Sequence, residues 1–398
     1  MQMNNETYQK EVNQEIENIL DYWLNNTIDD EFGGFYGQID ENDEIVANIE
    51  KGSVLNARIL WTFSAAYRHN PRPAYLSTAT RAYEYLRHYF SDKTFGGVYW
   101  SVDFKGNPLN TRKQIYGQAF VIYGLSEYYK VTQHQEVLDW AIALFNIIET
   151  HSFDKIYGGY LEALAQDWQP IEDLKLSQKD ANEKKSMNTH LHIMEAYANL
   201  LKVWDNNLLK NQLKALIEVF IQYIVDTKTG HQYLFHDDDW TVKSHIISYG
   251  HDIEASWLLY EATEVLGDEN LLNEVHKISL KITDAVGKGL QADGGLSYES
   301  EGEHHDTDKH WWVQAEAMVG YLNAFQLSKN PKYLQQSIKS WEFIKAHLIT
   351  PKGEWYWGVA GEQNKPMPYQ DKAGFWKCPY HNVRACLEVY DRLEKISN

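Results

Sequence analysis

Val12, Ile16, Ile19, Leu20 and Trp23 recur three and four positions apart with polar residues between them, the pattern of a helix with one buried stripe. That register ends at Asn25-Asn26, and the segment FGGFYG, Phe32 to Gly37, follows. A second helix is predicted from about Ser53 to Arg68 through Val54, Leu55, Ile59, Leu60, Trp61 and Phe63. A third follows Pro73 and continues to Phe90, ahead of FGGVYW, Phe95 to Trp100. The stretch Gln114 to Thr132 is apolar nearly all round, which suits an inner helix. His134 to His151 returns to a single stripe of Val137, Trp140, Ala141, Leu144 and Ile148, and YGGY, Tyr157 to Tyr160, comes next.

Helix, glycine-aromatic turn, helix is therefore a repeat. Gly33, Gly96 and Gly158 stand 63 and 62 residues apart, and DGGLSY brings Gly294 after a further 136, two periods of 68. TGHQYLFH, Thr229 to His236, fills the intervening slot, and KGEWYWG at Gly353 closes the series. Six copies imply twelve helices, with the glycine-aromatic segments as short β-hairpins between outer and inner helices. No repeat carries a core of its own. The expected fold is all-α, one (α/α)6 barrel of six helix pairs spanning residues 1–398 as a single catalytic domain. Two loops stand outside the pattern. Gln166 to Lys185 is long and polar, so functional or mobile. Glu299 to His310 is acidic with three histidines, matches no metal-ligand spacing, and reads as a solvated loop.

Composition narrows the function. The 398 residues carry a net charge of −19 with no Lys/Arg run, which argues against a nucleic-acid backbone or an anionic membrane as partner. Two cysteines, Cys378 and Cys386, exclude a disulfide framework or a cysteine-based zinc site. The first residues are polar and no apolar span of membrane length follows, so a soluble, cytoplasmic protein is expected. The 14 Trp, 27 Tyr and 14 Phe can pack a core or stack on sugar faces.

Out-of-place polar residues fall near the starts of the predicted inner helices. They are Arg58 in KGSVLNARILW, Tyr116 in KQIYGQAF, and Asn188, His190 and His192 in SMNTHLH. His251, Glu254 and Trp257 follow in GHDIEASW, then Trp311, Trp312 and Glu316 in KHWWVQAE, and Trp376 and His381 in WKCPYHN. Equivalent repeat positions would converge at one end of the barrel axis. There is no P-loop, dinucleotide fingerprint or serine nucleophile elbow, and HDIE is not a zincin motif. Cys378, three residues before His381, reads as a buried thiol rather than a nucleophile. A glycosidase would need two opposed carboxylates, for which Glu254, Glu316 and Asp180 are available. The prominent titrating groups are nevertheless histidines. With an arginine and stacking tryptophans they suit proton transfer at a carbon beside a carbonyl, where the arginine stabilises an enediolate and bases on opposite faces invert the stereocentre.

Taken together, KGSVLNARILW, YGQAF, MNTHLH, GHDIEASWLL, KHWWVQAEA and WKCPYHN resemble the N-acylglucosamine 2-epimerase superfamily across essentially the whole chain. The resemblance implies the same barrel fold. It implies that the reducing-end glucose of a β-1,4-linked disaccharide such as cellobiose or lactose is opened and inverted at C2 to mannose through a cis-enediolate, without cofactor, metal or nucleotide. On that pattern His251 and His381 are the acid/base pair, sharing the C2 proton and ring opening in either order. Arg58, Tyr116, Asn188 and His192 hold the reacting oxygens, and Glu254 orients a base or binds a hydroxyl. Trp312 and Trp376 stack on the sugars, Asp180 contacts substrate from the long loop, and Trp257 and Glu316 complete the binding set. A monomer or weak homodimer is expected. Val383 stands where relatives are expected to have Gly, which bears on local packing. Rival readings are an N-acylglucosamine epimerase or mannose isomerase on the same fold, a glycosidase, and a catalytically silent sugar-binding or partner-binding protein.

Overall fold

The computed structural model describes residues 3–397. Its helices are α1 (Asn5–Asn26), α2 (Ser53–His69), α3 (Pro73–Tyr85), α4 (Ile115–Thr132), α5 (Gln135–His151), α6 (Met187–Leu201), α7 (Asn207–Val219), α8 (Tyr249–Leu266), α9 (Glu269–Val286), α10 (Trp311–Ser328), α11 (Pro331–His347) and α12 (Tyr380–Ser397). The even-numbered helices form a ring in which each packs on the next and α12 returns to α2. The odd-numbered helices pack outside it, α3 on α2, α5 on α4, and so on until α1 covers α12. This is the (α/α)6 barrel that the repeat predicts. Burial follows the sequence pattern: α4 is buried without a break from Ile115 to Tyr128, whereas α5 buries one stripe around Val137, Ala141, Leu144 and Ile148. The predicted third helix does reach Phe90, but its last turn, Leu86–Phe90, widens to a π-helix. No helix among the described residues is long and apolar enough to cross a membrane.

The glycine-aromatic segments carry the chain from each outer helix to the next inner one. The first five begin as a tight turn closed by a single bridge, as between Ile28 and Phe35, Ser91 and Val98, or Phe153 and Tyr160. Gly33, Gly96 and Gly158 take φ of 79°, 76° and 73° there, a left-handed backbone that favours glycine. Hairpins form after three of these turns, over Ser101–Asn110, Glu299–Asp306 and Gly358–Pro366. The remaining short strands pair across neighbouring repeats, Lys51-Gly52 with Ser101-Val102 and Lys113-Gln114 with Ala163-Leu164, and so tie the rim together.

A second periodicity emerges at this rim. Lys51 Nζ donates to Asp29 Oδ2 at 2.6 Å and to the Gly33 carbonyl at 2.7 Å. Lys113 does the same with Asp92 (2.7 Å) and Gly96 (2.9 Å), and Lys185 with Asp154 (2.7 Å) and Gly158 (2.8 Å). Lys309 and Lys377 hold the same place in later repeats, Lys377 against Glu354 at 2.5 Å, while the fourth repeat has Ile247. A buried ammonium must be paired, so Lys51, Lys113, Lys185 and Lys377 each pin their turn to the start of an inner helix, whereas Lys309 donates to the Gly361 carbonyl in the hairpin of the next repeat. The inner helices also reach back: Gln118 bonds both the N–H and C=O of Val98, and Gln314 those of Leu296. His190 Nε2 accepts the Tyr160 N–H in the same way. His190 is thus a fold residue, and burial takes it down to about 3, so it stays neutral.

Candidate active site

A cavity of about 420 Å³ opens at the end of the barrel where the inner helices begin, and it is lined by side chains from the first two turns of all six. Six helix N-termini therefore face it, an arrangement that favours negative charge inside. Arg58, Tyr116, Asp180, Asn188, His192, His251, Glu254, Trp312, Trp376 and His381 all line this cavity, so the structure brings together ten of the expected site residues.

His251 sits in the first turn of α8, where its Nδ1 pairs with Ser248 Oγ at 2.9 Å. The preceding Gly250 lies within the helix, and a Cβ there would come within 2.5 Å of the Trp312 ring. Its bare backbone lets Trp312 close in, with ring centroids 4.8 Å from His251 and 5.8 Å from His381. The indole is thus wedged against both histidines. His381 Nδ1 meets Glu316 Oε1 at 2.7 Å, and His192 Nδ1 meets Glu195 Oε2 at 2.9 Å. In all three histidines the Nδ1 edge is engaged by the protein and the ring lines the cavity. Burial lowers all three below the ordinary histidine value, His251 to about 3, with the neighbouring His192 adding to the effect, and His381 well below it. They are neutral at pH 7, as bases must be.

Arg58 is buried, yet no carboxylate pairs with it among the described residues. Its Nη2 donates to Tyr116 Oη at 2.7 Å, its Nη1 reaches Cys378 Sγ at 3.9 Å, and its Nε has no partner. The guanidinium lies over the rings of Phe120 and Tyr380 at 4.3 and 5.0 Å. A buried cation held on aromatic faces and a phenol is poised for an anionic oxygen arriving from the cavity. Asn188 Oδ1 is likewise without a partner in the protein. Cys378 is fully buried, and burial raises its thiol, in keeping with a spectator.

Two expected substrate-binding residues fall elsewhere. Trp257 and Glu316 do not line the cavity: Trp257 Nε1 donates to Glu316 Oε2 at 3.0 Å, both fully buried behind His381. Trp257 lies three residues beyond Glu254 on α8, whereas Glu316 stands level with Glu254 in its own helix and is covered by His381. There they meet Arg384, which the sequence reading missed although an arginine in the second turn of an inner helix, near its cavity end, signals a buried ion pair. Arg384 Nη2 donates to Glu254 Oε1 at 2.7 Å and to Glu316 Oε1 at 2.6 Å, and Nη1 donates to Glu195 Oε1 and Tyr380 Oη. Burial works to raise Glu195 but is outweighed by Arg384 and by the bond from His192, leaving that carboxyl at about 2. Burial and the Glu316 charge push Glu254 up to about 8, so it is a neutral acid facing the cavity at pH 7.

By spacing, Glu254, Glu316 and His381 would form a metal triad, with one ligand atom each inside 4.8 Å. The Arg384 guanidinium already bonds both carboxylates, and a cation there would have to displace it.

The outer wall comes from loops. In the long segment 166–185, Leu176 to Asp180 reach the cavity, and Asp180 Oδ2 accepts the Ser177 N–H at 2.8 Å. The segment is anchored, with Gln114 Nε2 donating to the carbonyls of Leu174 and Lys175, and Asn182 Oδ1 accepting the Leu174 N–H. In Glu299 to His310 the solvated reading holds for His304 and His305, which are exposed. His310 departs from it: it is buried, stacks on Tyr298 at 4.0 Å and joins Trp357 at the cavity mouth.

The sequence profile of the N-acylglucosamine 2-epimerase (GlcNAc 2-epimerase) family matches residues 34–385. The chain is 51% identical to the cellobiose 2-epimerase of Bacteroides fragilis over 374 residues, 93% of this chain and 95% of that one. It is 26% identical to the D-mannose isomerase of Marinomonas mediterranea over 395 residues, 95% of this chain and 96% of that one. Among solved structures it superposes on cellobiose 2-epimerase from Bacillus thermoamylovorans B4167 with a TM-score of 0.93 and 40% identity, covering 97% of this chain and all of that one.

Proposed function

The chain belongs to the N-acylglucosamine 2-epimerase family, and we propose that it inverts C2 of the reducing-end glucose in β-1,4-linked disaccharides such as cellobiose, giving the mannose epimer. The observation that carries this reading is the pair His251 and His381, both lining the cavity in ring contact with Trp312, both neutral and both with Nδ1 engaged. In the opened sugar C1 is an aldehyde, so the C2–H is acidic enough for an imidazole to remove. One histidine takes that proton, and the electron pair moves through C1=C2 onto O1. Arg58, which lacks a carboxylate partner, receives the resulting enediolate oxygens with Tyr116, and the helix N-termini add to the stabilisation. The second histidine, made imidazolium by taking up the O1–H proton on ring opening, delivers that proton to the other face of C2, which inverts it.

Ring opening needs a proton on the ring oxygen and one taken from O1–H, and neutral Glu254 or a histidine can exchange both. Trp312 and Trp376 supply faces for the reacting sugar, and Tyr298, His310 and Trp357 extend the aromatic wall outward, where a second sugar would lie. The reading requires no metal, because Arg384 supplies the positive charge at the one carboxylate-histidine triad found among the described residues. Cytoplasmic action is part of the same reading and is compatible with Cys378 and Cys386, both free and buried.

The test is incubation with cellobiose in D2O, without added metal or nucleotide, followed by NMR. Glucosyl-mannose carrying deuterium at C2 is expected. A ketose would mean reprotonation at C1, free glucose a glycosidase, and no reaction with cellobiose, N-acetylglucosamine or mannose a silent binder.

A further inference from the structure

Arg384 lies on α12 one turn beyond His381, is 1% exposed and does not line the cavity. Its two terminal nitrogens divide their work. Nη1 serves Glu195 on α6 and Tyr380, and Nη2 serves Glu254 on α8 and Glu316 on α10. Two of those carboxylates continue to a cavity histidine, Glu195 to His192 at 2.9 Å and Glu316 to His381 at 2.7 Å. One guanidinium thereby touches four inner helices and stands one atom group away from two of the three histidines.

The donors decide the proton positions. Arginine and indole only donate hydrogen bonds. Glu316 takes Arg384 on Oε1 and Trp257 on Oε2, so both oxygens are acceptors and His381 Nδ1 is the remaining donor. Glu195 takes Arg384 and Tyr380 on Oε1, which leaves Oε2 to accept from His192 Nδ1. Glu254 receives a single donor on one oxygen, so the proton that three carboxylates round one cation must retain rests there. A lysine cannot reproduce this, because only the planar fork reaches the carboxylates on both sides at once.

We propose that Arg384 is a positioning residue for the reaction: by holding Glu195 and Glu316 as acceptors it sets His192 and His381 in the Nδ1–H tautomer, each with an unprotonated Nε2 turned to the substrate. The inference rests on the histidine-based function proposed above. A purely structural ion cluster would make the same contacts but would influence only stability, which separates the two roles experimentally.

The experiment uses the full chain, 15N-labelled at histidine, with the variants Arg384→Lys and Arg384→Gln. In the unsubstituted protein, NMR should find His192 and His381 protonated on Nδ1 and bare on Nε2. In either variant that folds, those Nδ1–H signals should shift or vanish, and kcat for cellobiose should fall about 100-fold with KM within about threefold, by analogy with losing the group that orients a catalytic imidazole. Arg384→Lys should retain more activity than Arg384→Gln. A folded variant with unchanged kcat overturns the proposal, and so does an Nε2–H tautomer at either histidine of the unsubstituted protein, a reading that needs no variant to fold. If the unsubstituted protein places no deuterium at C2, the epimerase reading fails, while the tautomers remain readable in the same sample.

Discussion

His381 Nδ1 lies 2.7 Å from Glu316 Oε1, and that same oxygen takes Arg384 Nη2 at 2.6 Å. The imidazole therefore becomes imidazolium beside an anion that is itself fixed by a cation. On the proposed mechanism Glu316 therefore acts through His381 and not on the sugar.

Glu316→Gln keeps the shape but can present an amide N–H to His381 and force the other tautomer. The expected result is a loss of kcat of about 10²–10⁴-fold with little change in KM, the signature of a misplaced catalytic proton. Steady-state kinetics with cellobiose, alongside circular dichroism, check it. Glu316→Gln turning over like the unsubstituted enzyme would remove Glu316 from the mechanism.

His251→Ala and His381→Ala should each abolish epimerisation while leaving the helical spectrum intact. If the two histidines serve opposite faces of C2, one variant will exchange the C2 proton of cellobiose without inverting it. The other will do so only with the mannose epimer. NMR in D2O with both substrates reads this directly, and inversion by either variant would end the two-base scheme.

Activity should extend into mild acid. His251 at about 3 and His381 well below the ordinary value lose base function only when pH falls through those lowered values, so the acid limb of kcat/KM should lie below the usual histidine pKa of about 6.5. The alkaline limb has a different origin. Glu254 deprotonates through about 8 and places an anion where the enediolate forms, so kcat should decline above that pH. Its folded pKa is raised above the unfolded value, so its contribution to stability falls as pH climbs from about 4.5 towards 8. Glu254→Gln should abolish that part of the pH dependence in thermal melts; a melt profile identical to the parent's would contradict it.

Gly250→Ala tests the wedge. The added methyl would meet the Trp312 ring at 2.5 Å and the Val313 side chain at 2.7 Å. A cost of about 1–3 kcal/mol is expected from overpacking, with KM for cellobiose raised because Trp312 is displaced. Thermal denaturation and kinetics measure both effects, and an unchanged KM would mean that Trp312 does not position the sugar.

Much of the fold was legible because the repeat spells it. The glycine-aromatic turns recur at a near-constant period, and one-stripe helices alternate with helices that are apolar nearly all round, so the count of pairs and the inner-outer assignment follow from local chemistry. The rim lysines were equally readable in KGS, KQI, KSM and KHW. They passed unnoticed because a lysine near a turn ordinarily signifies solvent, and only the tertiary structure shows Lys113 and Asp92 wholly buried against each other.

The site divides along the same line. Residues in the first turns of the inner helices could be listed from sequence, since equivalent positions in a closed ring must converge at one end. Depth within that ring could not. Trp257 and Glu316 look like their cavity-facing neighbours Glu254 and Trp312, yet Trp257 lies about a turn beyond Glu254, and Glu316, level with Glu254 in its own helix, is covered by His381. His190 and His192 are two residues apart and face a hairpin and a sugar cavity respectively. Sequence alone determined the barrel and the end at which its chemistry gathers, because periodicity is a local property of the chain. Which carboxylate is charged, which is neutral and which histidine edge is free were decided only in three dimensions, because they depend on Arg384 meeting three glutamates that lie between 68 and 189 residues away along the chain.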